Sequence, residues 1–76
     1  MYTYVILQAY ADPSDPQYYT CTLTRYAGPS KAIANRTIEQ VRKEPDTEWV
    51  EVEVWQDTDK VCEFSVSPDG EVSQFE

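Results

Sequence analysis

The chain has 76 residues, 14 acidic against 6 basic side chains, no histidine, two glycines and two cysteines, for a net charge of −8. That size allows one domain, residues 1–76, and a chain this short buries only about 60% of the surface its unfolded form exposes. The charge disfavours direct contact with a phosphate backbone, the missing histidine removes the commonest general base and metal ligand, and two glycines cannot build a phosphate-cradling loop.

Residues 2–11 are rich in β-formers and read as a first strand. Val5, Leu7 and Ala9 are expected to face the core, with Tyr2, Tyr4, Ile6 and Gln8 facing out. Asp12-Pro13-Ser14-Asp15-Pro16 reads as a turn. Residues 18–26 read as a second strand, with Tyr19, Cys21 and Leu23 on one face. Tyr18, Thr20, Thr22, Thr24 and Tyr26 fall on the other, a set suited to a solvated sheet face. Gly28-Pro29-Ser30 then changes the period. Ser30 is a good N-cap, and Ala34, Ile38 and Val41 recur at i, i+4 and i+7 in a helix predicted over Lys31–Glu44, which Pro45 stops.

The stretch Glu48–Trp55 alternates with period two. Val50, Val52 and Val54 form a core face, and Trp49, Glu51, Glu53 and Trp55 form the other. A polar turn over 56–60 leads to a fourth strand at 61–67, with Cys62, Phe64 and Val66 inward and Glu63 outward. Pro68-Asp69-Gly70 signals a hairpin, and residues 71–76 read as a short last strand. The order β-β-α-β-β(-β) predicts an α+β fold: an antiparallel four- to five-stranded sheet, ordered 2-1-3-4-5, packed on one helix.

No catalytic constellation accompanies these elements. No Ser or Cys has a candidate base in a recognisable arrangement, and Cys21 and Cys62 read as small apolar core residues. Asp57 and Asp59 lack the spacing and glycine of a calcium loop. Glu51 and Glu53 stand about 7 Å apart along a strand, wider than a retaining carboxylate pair, in a domain too small to offer much of a cleft. The chain is therefore not expected to be an enzyme or to hold a cofactor or metal. Met1-Tyr2-Thr3-Tyr4 lacks the basic start of a signal peptide, and no apolar run reaches a membrane-spanning length, so the expected compartment is the cytoplasm.

A surface remains. Residues 46–76 carry ten acids against Lys60 alone, whereas the predicted helix carries Lys31, Arg36, Arg42 and Lys43. Trp49, Glu51, Glu53 and Trp55, with Glu63 on the neighbouring strand, form a candidate partner-binding face. Tryptophans anchor interfaces, and an acidic row on a rigid sheet can imitate a line of phosphates to a basic, nucleic-acid-binding protein. The plainer alternative is that the acids only solvate a small domain.

The layout, with Ser30-Lys31-Ala32-Ile33-Ala34 opening a single helix between a β-hairpin and a β-meander, resembles several small phage-encoded anti-CRISPR proteins. That resemblance is one of architecture and implies a protein that binds a CRISPR effector and blocks its DNA binding or cleavage. It assigns a role to no individual residue. The tyrosine-rich hairpin followed by a helix is also similar to HicB-type antitoxins, although their DNA-binding extension is missing. This second likeness implies a self-associating regulatory module, so monomer and homodimer both stay open.

Overall fold

A computed structural model of the chain describes residues 1–11 and 20–74. The elements are β1 (Tyr2–Ala11), β2 (Thr20–Gly28), α1 (Lys31–Arg42), β3 (Thr47–Gln56), β4 (Asp59–Val66) and β5 (Val72–Gln74). The five strands form one antiparallel sheet in the order β2-β1-β3-β4-β5, the predicted α+β arrangement. The expected turn over 12–16, together with Tyr18, Tyr19, Phe75 and Glu76, lies outside the described residues.

The helix begins where its cap predicts. The backbone N–H of Ile33 donates to Ser30 Oγ at 3.1 Å, a cap worth about 1 kcal/mol. Ala34, Ile38 and Val41 are its buried stripe, as the spacing implied. They pack on Ile6, Val50, Val52 and Val66, with Tyr4, Tyr26 and Phe64 partly buried around them. Each fully buried valine or isoleucine contributes about 1.5–3 kcal/mol relative to exposure. Val50 and Val52 face the helix, as the alternation of β3 required.

The first strand is turned over relative to expectation. Its partners across β3 are Tyr4↔Val54, Ile6↔Val52 and Gln8↔Val50, so the even-numbered side chains share the valine face and lie under the helix. Val5 and Leu7 instead lie opposite Glu53 and Glu51 on the open face, and Ala9 lies opposite Trp49. Both faces of β1 are apolar enough to be a core, and the register with β3 decides between them. Ile6 is fully buried on the helix side; Ala9 is equally buried on the open side.

Gln8 belongs to the core for a second reason. Its side-chain amide donates to Thr47 Oγ1 at 2.8 Å, and its Oε1 accepts from Arg25 Nη1 at 2.9 Å. The same Nη1 donates to Glu44 Oε1 at 2.9 Å, while Nη2 meets Glu44 Oε2 at 2.9 Å as an ion pair. Arg25 occupies a bulge in β2, where the pairing jumps from Ile6↔Tyr26 to Leu7↔Thr24. The extra residue reverses the parity of the strand. Tyr26, expected beside the threonines, therefore joins the helix side, where its hydroxyl accepts from the backbone N–H of Ser30 at 3.0 Å. Leu23, expected in the core, is half exposed.

Two turns set the meander. Asp57 takes φ 54° in the tight β3–β4 connection, a left-handed conformation aspartate tolerates. Gly70 takes φ 91° in the β4–β5 hairpin, which Arg42 fastens to the helix by donating through Nη1 to Pro68 O at 2.8 Å.

Candidate partner-binding face

One face of the sheet is covered by α1, and the other carries Trp49, Glu51, Glu53, Trp55 and Glu63. The structure brings all five together. Trp49, Glu51, Glu53 and Trp55 alternate with the buried valines along β3, and Glu63 stands directly opposite Glu53 on β4. The β1 side chains beside them are Thr3, Val5, Leu7 and Ala9.

The tryptophans and glutamates are not independent. The Trp49 indole N–H donates to Glu51 Oε1 at 3.2 Å, and the Trp55 indole N–H donates to Glu53 Oε1 at 3.0 Å. Each indole thus reaches along the strand toward the middle of the face and takes the carboxylate two residues away. Every second residue of a strand points the same way, so this pairing follows from the Trp-X-Glu and Glu-X-Trp spacings. A carboxylate fixed by a donor has fewer rotamers to lose when a cation binds it. Among the described residues, Glu51 Oε2 has no hydrogen-bond or ion-pair partner.

Lys60 modifies the acidic row. Its Nζ lies 2.6 Å from Glu63 Oε2 and 3.9 Å from Glu53 Oε2, and 5.9 Å from the centre of the Trp55 ring. The Glu63 hydrogen bond, with the charges of Glu63, Glu53 and Glu51 behind it, raises the Lys60 pKa above its ordinary 10.5, against the opposing effect of burial. The row is therefore two-part: a neutralised end, Glu53–Lys60–Glu63, and an unneutralised end, Glu51 beside Trp49. The sequence counted Lys60 only as the single base of its half. Its placement follows from the tight turn at Asp57-Thr58, which sets Lys60 opposite Trp55. Farther along β3, Glu48 Oε2 accepts from Thr20 Oγ1 at 3.1 Å.

The helix side offers different chemistry. A groove of about 380 Å³ opens between α1 and the β3–β4 part of the sheet, lined by Tyr4, Ile38, Val52, Val54 and Phe64, with Lys31 among its polar members. None of the five candidate residues lines it, and no carboxylate does. Among the described residues no group of three or more histidine, cysteine or acidic side chains could hold a metal ion, and no helix is long and apolar enough to cross a membrane.

Comparison with known protein families, with curated proteins and with solved structures finds no match to this chain.

Proposed function

We propose that the chain is a small acidic inhibitor, of phage or mobile-element type, that binds a basic nucleic-acid-binding protein of a host defence complex and obstructs its DNA binding or cleavage, in the manner of anti-CRISPR proteins. The observation that carries this reading is the pair of indole–carboxylate hydrogen bonds, Trp49 to Glu51 and Trp55 to Glu53, on the sheet face the helix leaves open. Aromatic anchors beside pre-oriented carboxylates are what an arginine- or lysine-rich surface binds well. The contact centres on Trp49 and Glu51, because Lys60 already occupies the other end of the row. The acids then act as individual charge-assisted contacts, with phosphate mimicry confined to the Glu51 end. The net charge of −8 steers a basic partner toward the chain, so association weakens as salt rises.

The test is capture from a bacterial lysate containing a CRISPR effector, using the chain and a Glu51→Lys/Glu53→Lys variant whose fold is checked by circular dichroism. A basic nucleic-acid-binding protein should be retained by the chain at low salt, released at high salt, and lost with the variant. Purified chain should then block that protein's binding to DNA. Equal capture by the variant would refute the reading.

A second reading is a self-associating structural or regulatory module of the HicB-like kind. It is favoured by the outer edge of β2, which no strand covers among the described residues.

A further inference from the structure

The sheet has two ends, and they are guarded differently. At the β4 end, β5 covers only Phe64–Val66. The uncovered part of β4 carries Lys60 and Glu63 and a bulge at Val61, where the pairing jumps from Val54↔Cys62 to Trp55↔Lys60. Charges and bulges are the usual means of stopping edge-to-edge pairing. At the β2 end the bulge at Arg25 twists one half of the strand, but Thr20–Thr24 runs without interruption against Leu7–Ala11. That segment, Thr-Cys-Thr-Leu-Thr, is uncharged in a chain of net charge −8. It contains no proline and is rich in β-branched residues.

The segment is also complementary to itself. Around Thr22 as a two-fold centre, an antiparallel copy places Thr22 opposite Thr22 and Thr20 opposite Thr24 of the second copy on the open face. Cys21 falls opposite Leu23 of the second copy on the helix side. Threonine against threonine and apolar against apolar are favourable cross-strand pairs. Leu23 is 51% exposed, and Ile33 is 43% exposed. A second copy paired at this edge would cover Leu23.

We propose that two copies of this chain pair edge to edge through Thr20–Thr24 of β2, antiparallel and centred on Thr22, so that two five-stranded sheets become one. This rests on the self-association reading above and names its surface. Salt distinguishes it from capture of a basic partner. Two chains of charge −8 repel one another overall, and the side chains of Thr20–Thr24 supply no opposite charges, so added salt strengthens the dimer while it weakens contact with a basic protein.

The experiment is sedimentation velocity of the purified chain across the micromolar range at low and high salt. It is run beside Thr22→Lys and, as a control at the opposite edge, Val61→Lys, with folding of each confirmed by circular dichroism. The chain should sediment at twice its monomer mass, increasingly so with salt, Thr22→Lys should sediment as a monomer, and Val61→Lys should match the parent. A dimer that survives Thr22→Lys overturns the β2 edge and leaves self-association standing. A monomer under every condition overturns both. Dissociation of the parent by added salt also overturns the β2 edge, because it would place the contact between opposite charges.

Discussion

Glu53 and Glu63 face one another directly across β3 and β4, and the ammonium of Lys60 reaches both. Like charges directly opposite on a sheet repel, and that lysine offsets the repulsion. Replacing Lys60 with glutamine should lower the melting temperature by a few degrees in dilute buffer. The loss should shrink as added salt screens the two carboxylates. The Lys60 pKa is raised on folding, so its contribution is complete below the ordinary value of 10.5 and disappears as pH climbs through the raised one. Melting curves of both proteins at several salt concentrations and at alkaline pH check this: the difference between them should close at high pH.

The indole hydrogen bonds make a separable prediction. Trp49→Phe keeps an aromatic ring on the open face and removes only the donor to Glu51 Oε1. A hydrogen bond to a charged group, discounted for partial exposure, puts the stability cost at about 1 kcal/mol. Denaturant titration measures that cost. Affinity for the proposed basic partner should fall by more than stability does, because the freed carboxylate must be ordered again on binding.

Exchanging Gln8 for leucine should be costly although it makes the core more apolar. The substitution strands the Thr47 hydroxyl and removes one of the two acceptors of Arg25 Nη1. Leaving buried polar groups without partners costs about 1–3 kcal/mol. Urea unfolding of Gln8→Leu is the measurement, and a variant as stable as the parent would show that the network contributes nothing net.

Ile6 and Val5 discriminate the two faces of β1. Ile6→Ala opens a cavity beneath the helix and should cost about 2–5 kcal/mol. Val5→Ala, on the open face and only partly buried, should cost clearly less. Equal losses in calorimetry would contradict the observed register.

At the far side of the molecule, Arg42 holds the Glu39 carboxylate by hydrogen bonds of 3.0 and 2.7 Å, chiefly through which the Glu39 pKa is lowered from its ordinary 4.5. A depressed carboxylate stabilises above its unfolded pKa, and the benefit is lost as pH falls through the folded one. Glu39→Gln should therefore flatten the acid side of the stability profile below the ordinary value while leaving the neutral region slightly lower. Melting temperature against pH is the check.

Why some of this was legible and some was not follows from particular residues. In β3 each valine alternates with a glutamate or tryptophan, so only one face can be a core, and its burial was plain from the pattern. In β1, Val5, Leu7 and Ala9 compete with Tyr4 and Ile6, and composition cannot separate two apolar faces. The decision comes from β3, some 45 residues away, through Ile6↔Val52. In β2 the bulge coincides with Arg25 reaching inward to Gln8 and Glu44, a contact between three distant segments that leaves no local mark. Of the candidate face, the five residues and their common side were readable from period two. The part Lys60 plays depends on a tight turn whose length composition alone did not set.

The position of β1 in the sheet has a consequence for how the chain comes to be folded. It is made before the other four strands, yet it lies between β2 and β3 and needs both as neighbours. Its hairpin with β2 can close early, but its other side stays open until the chain has been synthesised through Gln56. During that interval Ile6 and Tyr4 have neither the valines of β3 beside them nor a completed core above them. Closure of the sheet is thus a late, long-range event, and the folding rate should follow the β1–β3 register far more closely than the helix propensity of Lys31–Arg42.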